Sequence, residues 1–302
     1  MEIKVNGKDI SAWIEKVTWS GDCGQIARKL SFTYAFTRED SNIPLITVDN
    51  GARVAAYDGV LFFLGVVTGT SRQEAGVTVS VNAVDLAWYT GKVKTYGVYQ
   101  GTPAEIVSQV CGEYGIPVGE LLEEGTATEI ISTGDKTIYQ VMEDAYGETE
   151  HYLYMSGDVL NIRAAGMEVA AHLSGNTDIT DATYTSSIES MVNKVVILDG
   201  SSSYAGEVTR EGQVSAYGLM QETYKQEQGK DAAVEASKLL KGVEESGNIS
   251  AQGNILCIAG KAVYITDVNT NITGCFRITS DTHNFEGTLH TMSLTLEFKE
   301  VV

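Results

Sequence analysis

The stretches KLSFTYAF, ARVAAY, VTVSVNAVDL and TMSLTLEF alternate apolar and polar residues one by one. Successive side chains of a strand leave opposite faces, so this period of two commits both ends of the chain to sheet with one covered face. The turns between such runs must rest on glycine, because the 302 residues include 31 Gly and only 3 Pro. Glycine reverses strands at positive φ without steric cost. A chain of this length is expected to form about two domains, each able to bury its own core.

Period-two runs fill residues 1–97, which are expected to form a first β-barrel domain. Between 98 and 166 the pattern changes. Thr102, Pro103 and Glu105 spell a capping box with proline at the first helical position. Ile106, Val107, Val110 and Tyr114 then recur at helical spacing up to Gly115. KTIYQVMEDAYGETE predicts a second helix with Ile138, Val141, Met142 and Ala145 on one face, and YLYMSGDVLNIR predicts a hairpin about Ser-Gly-Asp. The segment reads as a small α+β module inserted in a mainly β chain. Residues 167–302 return to strands, among them SSIESMVNKVVILDG and VSAYGLMQETYKQ, with a helix at about 229–246. They are expected to form a second barrel domain.

The two sheet-rich regions echo each other. Gly51 precedes Val54, and Gly65 opens GVVTG; Gly260 precedes Val263, and Gly274 opens GCFRIT. Each copy continues through a turn with glycine (Gly76, Gly287) into an alternating strand. The spacing points to an internal duplication.

A formal net charge of −19 argues against binding to nucleic acid by counterion release and disfavours docking on an anionic membrane. No apolar run is long enough to span a bilayer, and the N-terminal MEIKVNGKDISAW alternates like a strand rather than a signal peptide. Cys23, Cys111, Cys257 and Cys275 are scattered without a C-x-x-C, as expected of reduced thiols in a protein assembled in a cytoplasm.

None of the common catalytic signatures occurs. His151 and His172 stand alone, the sequons at Asn248 and Asn271 lack a secretory context, and the acidic stretches lack the periodicity of a calcium loop. No catalytic, cofactor-binding or metal-ligating residue is assigned. The one suggestive pair is His283 and His290 in GCFRITSDTHNFEGTLHTMSLTLEF. A two-residue loop at Glu286–Gly287 would set them opposite each other, but a three-residue loop, Phe285 to Gly287, pairs Phe276 with Leu296 and Ile278 with Leu294. The second register matches the apolar residues and sends the histidines to opposite faces, against a metal site.

The same segment, with GNILCIAGKAVYIT before it, resembles the C-terminal signature of contractile-tail baseplate hub proteins, the late-control-D-like hubs of bacteriophages, prophages and phage-tail-like bacteriocins (tailocins). The matching positions are Gly253-Asn254, Ala259-Gly260, Gly274 with Phe276 and Ile278, His283, and the strand of His290, Met292, Leu294 and Leu296. SIESMVNKVVILDG and SAYGLMQ fit upstream. Gly260, Gly274, Phe276, His283 and Met292 are carried over as structural family positions. The resemblance implies a homotrimer whose two tail-tube-like barrels per chain make six, mating with a hexameric tail tube at one end and a trimeric spike at the other. It also implies other baseplate partners, no enzyme activity, no membrane insertion and no specific nucleic-acid binding even where DNA threads the channel. Assembly would take place in the bacterial cytoplasm, before release within a virion or tail-like particle. Two other readings remain open on residues alone: a tail-associated cell-wall hydrolase, which lacks a visible catalytic constellation, and a carbohydrate-binding β protein, for which Trp13, Trp19 and Trp88 are too scattered.

Overall fold

The computed structural model describes residues 1–36, 46–72 and 77–298. Contacts divide the chain into one unit of residues 1–183 and 248–302 and a second of residues 184–247. In chain order the strands begin with β1 (Glu2–Val5), β2 (Lys8–Asp9), β3 (Ile14–Asp22), β4 (Lys29–Ala35), β5 (Arg53–Asp58), β6 (Val60–Arg72) and β7 (Thr78–Asp85). Next come β8 (Lys94–Gly101), α1 (Pro103–Glu113), β9 (Thr128–Thr137), α2 (Ile138–Tyr146), β10 (His151–Ser156) and β11 (Val159–Ala164). β12 (Val169–Ser174) and β13 (Ile179–Ser187) lead to β14 (Lys194–Leu198), β15 (Tyr204–Thr209), α3 (Glu211–Tyr217), β16 (Gln221–Lys225) and α4 (Ala232–Lys238). The last strands are β17 (Glu244–Gln252), β18 (Ala262–Asp267), β19 (Ile272–Glu286) and β20 (Leu289–Glu297).

The chain is mostly strand, and its main sheet curls into a half-barrel. Hydrogen-bonded neighbours run β13-β17-β20-β19-β3-β4-β7-β6-β5-β1-β2, with β18 also on β19 and β12 on β18. One path therefore occurs twice: β3-β4-β7-β6-β5-β1, and again β13-β17-β20-β19-β18-β12. The copies differ at the end, where β1 meets β5 antiparallel but β12 meets β18 parallel.

Alternation explains both cores. Leu30, Phe32 and Tyr34 of β4 face Ala83, Val81 and Val79 of β7, and all six are buried. Met292, Leu294 and Leu296 of β20 are buried with Ile249 and Ala251 of β17 in the second core. Such apolar pairs contribute about 0.2–1 kcal/mol each beyond alanine. A third core joins Ile106, Val107 and Val110 of α1 to Val141 and Met142 of α2 and to Leu160 and Ile162 of β11. Both helices start as capping boxes: Thr102 with Glu105, as expected, and Thr137 with Gln140.

Two helix boundaries differ from the sequence reading. The helix expected at about 229–246 ends at Lys238, because from Glu244 the chain alternates and β17 buries Gly247, Ile249 and Ala251. VSAYG, expected as strand, forms the end of α3; the Gly218 N–H closes the turn on the Val214 carbonyl at φ +86°. Only Gln221 onward pairs with β14, in parallel. In this second unit β14 lies between β15 and β16, with Val195, Ile197 and Ala236 as its buried centre.

The duplication is visible in backbone detail. Gly51 N–H donates to Val67 O at 2.8 Å and Val67 N–H to Ala52 O at 2.9 Å. Gly260 N–H donates to Ile278 O at 2.9 Å and Ile278 N–H to Lys261 O at 2.8 Å. Gly51 and Gly260 thus correspond, at φ +86° and +95°. Gly65 and Gly274 do not correspond: Val54 lies opposite Gly65, whereas its counterpart Val263 lies opposite Phe276. Gly76 lies outside the described residues.

The two corresponding glycines make a test. A Cβ on Gly51 meets nothing within 4 Å, whereas one on Gly260 falls 2.2 Å from the Tyr152 ring. Gly51→Ala is expected to cost about 1–2 kcal/mol from left-handed strain alone, and Gly260→Ala distinctly more. Urea unfolding midpoints of the two variants check the order.

Candidate functional site: the polar seam between β3 and β19

β19 is long enough to serve two partners on one edge. Ile272–Arg277 pair with β18, and Ser280–Phe285 pair with β3, while β20 runs along the other edge. The change of partner coincides with a bulge at Thr279, whose hydroxyl donates to Thr295 O at 3.2 Å. A bulge inserts one unpaired residue, so the inward parity changes from even to odd. Ile278 is buried before it; Asp281, His283 and Phe285 are buried after it. β6 has the same device at Thr68, whose hydroxyl donates to Asn82 O at 3.3 Å.

This bulge corrects the expected register. Ile278 faces Leu296, His283 faces Met292 and Phe285 faces His290, leaving Gly287 and Thr288 as the turn. The histidines therefore share one face instead of pointing apart. His283 Nδ1 lies 3.1 Å from His290 Nε2, and the two rings pack beside Phe285, which stacks on His290 at 4.0 Å. With His283 Nε2 donating to Cys257 O at 3.0 Å, Nδ1 is left to accept from His290 Nε2–H. The pair is thus spent on internal hydrogen bonds. Among the described residues no group of three His, Cys, Asp or Glu side chains is placed to hold a metal ion.

Beside His283 lies a buried ion pair. Arg28, just before β4, reaches Asp281 through both terminal nitrogens, one at 2.9 Å, and its guanidinium stacks 4.0 Å above the Trp19 ring. Asp281 also accepts the Ala259 N–H at 2.6 Å and lies 3.4 Å from His283 Nε2. Asp85, at the end of β7, accepts the backbone N–H groups of Arg28 at 3.1 Å and Ala87 at 3.0 Å. The network ties β4 and β7 of the first strand set to β19 and the 253–260 segment of the second. It offers hydrogen bonds and charge compensation, and no activated nucleophile: burial pushes the Cys257 thiol up to about 12.

The five positions carried over from the resemblance fall into two groups. His283 and Met292 are cross-strand partners in the seam, and Gly260 bonds to Ile278 at its end. Gly274 and Phe276 lie further along β19, opposite Ile265 and Val263, with Phe276 packed on Phe298 at 4.5 Å. Sequence reasoning missed Arg28, Asp85 and Asp281. Only the parity change at Thr279 marks Asp281 as inward, and no glycine or proline announces that bulge. Away from the seam, His151 bonds to Thr149 O at 2.8 Å and Glu143 at 3.1 Å, and His172 stacks on Tyr264 at 5.1 Å.

The YQBQ-like family model matches residues 17–297. The chain belongs to that family. This YQBQ-like protein is 26% identical over 300 residues to the phage-like element PBSX protein XkdQ of Bacillus subtilis, covering 93% of this chain and 91% of that one. Its structure is similar to the 43 kDa tail protein of prophage MuSo2 from Shewanella oneidensis, with a TM-score of 0.76, 15% identity, and coverage of 98% and 95% of the two chains. It is also similar to the E. coli c3393 protein, a type VI secretion system component described as resembling the T4 tail proteins gp27 and gp5; the TM-score is 0.61 with 10% identity, covering 99% and 78%. The fold of the YQBQ-like chain is thus that of phage tail proteins.

Charges in the seam of this YQBQ-like protein respond to pH in opposite senses. Burial, together with the neighbouring His283, lowers His290 from 6.5 to about 4 against the pull of Asp58. The unfolded chain takes up that proton below 6.5 and the folded one does not, so stability falls as pH drops from 6.5 to about 4. Burial raises Asp85 from 3.8 to about 6 despite Arg28, so stability gained from its protonation grows as pH drops from about 6 to 3.8. Burial also acts to raise Asp281, but Arg28 and the neighbouring His283 outweigh it and hold the group at about 2. Its contribution is lost only as pH falls from 3.8 towards 2. Asp85→Asn is expected to make stability fall steadily between pH 6.5 and 4, with a slope approaching about 1.4 kcal/mol per pH unit. His290→Gln is expected to reverse that slope, and urea midpoints across the range measure both.

Proposed function

We propose that this YQBQ-like chain is the structural baseplate hub of a contractile phage tail or tail-like particle. In this reading it is a homotrimer that adapts the hexameric tail tube to the trimeric spike. One observation carries the reading: the same six-strand order occurs twice in one chain. A threefold assembly of such chains presents six related surfaces, which a single-copy chain can do only as a hexamer. The phage-like element in the name of XkdQ and the tail-protein likeness in the description of c3393 point the same way.

In this reading residues 1–97 and 167–302 supply the two tube-like barrels. The segment 98–166, with its own core, contacts neighbouring baseplate proteins. The net charge of −19 keeps any DNA in the channel from adhering, since like charges repel along its length. The chain works by binding and not by catalysis, and its buried ion pairs serve to fix shape. It assembles in the cytoplasm and leaves within the released particle.

Light scattering of the purified protein is expected to give the mass of three chains alone, and that mass plus three spike chains when a candidate spike protein is added. A monomer in both samples overturns the hub reading. Removal of residues 98–166 is expected to stop baseplate completion; full baseplates built from the shortened chain overturn the role given to that segment.

A further inference from the structure

The seam inside the chain implies a second seam between chains. In the doubled path β13 corresponds to β3, and β6 to β19. The bulges at Thr68 and Thr279 fix that second equivalence, because each threonine donates its hydroxyl to a carbonyl on the following strand. Beyond its bulge β19 pairs with β3 through Ser280↔Asp22 to Phe285↔Val17. The matching edge of β6, Thr68–Arg72, has no strand on it among the described residues, and β13 has only β17 beside it. Among the described residues each chain thus shows two strand edges without a neighbour where the internal repeat places a pairing.

We infer that β13 of one copy pairs with the Thr68–Arg72 edge of β6 in the next copy, as β3 pairs with β19 within a chain. The occupant is a second copy of this chain because the repeat supplies both halves of the contact and the internal seam is its template. Burial agrees. Val17 and Trp19 of β3 are buried at the internal seam, whereas every residue of β13 and of Thr68–Arg72 is exposed or half-exposed. Unprotected edges of this kind invite pairing, and a contact between two different edges is heterologous, closing into a ring when the rotation per copy permits. That the ring closes at three chains rests on the hub reading; the strand pairing itself does not.

The test uses the full-length chain with Cys23→Ser, since Cys23 is the exposed native thiol. Single cysteines are placed at Thr70 or Ser71 on β6, and at Thr180, Asp181 or Ala182 on β13. Two differently tagged chains are co-expressed and oxidised. A β6 variant is expected to cross-link to a β13 variant as a dimer band, and neither to itself. Chains carrying both cysteines are expected to give a ladder that stops at three. Like-with-like bands, or no bands from an assembly that scattering shows to be a trimer, overturn the edge pairing and leave the trimer standing. Mixed bands with a ladder running past three uphold the pairing and overturn closure at three. Urea midpoints equal to that of the parent confirm that each variant is folded.

Discussion

Everything in the main sheet depends on one strand changing partners. β19 leaves β18 and joins β3 within a single residue, and the bulge at Thr279 makes the change possible. Without it, Asp281 and His283 would turn outward, and the two strand sets would meet across a surface with no register. With it, Asp281 arrives under Arg28 and His283 under Cys257 O. Burying that ion pair carries a desolvation cost of several kcal/mol per ion in general, so its contribution to net stability is small. Its value lies in specification. An apolar seam would tolerate slippage by two residues, whereas a slipped Asp281 would be a buried charge without a partner.

The same logic separates what the sequence declares from what it hides. Alternation in KLSFTYAF and VTVSVNAVDL shows directly as β4 and β7, because each element needs only its own residues to be recognised. The capping box at Thr102 is equally local, and it is present as read. The bulge is not local. It exists because Ile278 must face Leu296 while His283 faces Met292, a compromise set by β3, β18 and β20 together. Hence the apolar matching in the hairpin was legible to within two residues, and the sidedness of His290 was not. Helix ends failed for a related reason. In DAAVEASKLLKGVEES the stripe of Ala233, Val234, Leu239 and Leu240 reads on as helix, but Lys241 is bridged to Val192 and the residues from Glu244 are claimed by β17, whose neighbours lie elsewhere in the chain.

Arg28 shows why the site was harder to read than the fold. In sequence it is one cation near a loop, and nothing nearby is acidic in a matching position. Its partner lies 253 residues away, and its stacking on Trp19 depends on the β3–β4 pairing. By contrast Gly260 was marked by its spacing from Gly274, although the correspondence that survives is with Gly51 alone. A motif can point at the right residue for an imperfect reason, because spacing along the chain survives while hairpin lengths drift by two.

The strand connections of the two copies differ greatly in length. β3 passes to β4 through residues 23–28, whereas β13 passes to β17 through residues 188–243, which fold with their own strands, helices and buried centre. The repeat without the long connection shows that a sheet of this kind is complete with a short turn there. That junction is therefore a natural port for engineering. A foreign domain of similar end-to-end reach put in place of residues 188–243 would, in any assembly of these chains, appear on every second repeat, so that doubling the scaffold does not double the cargo.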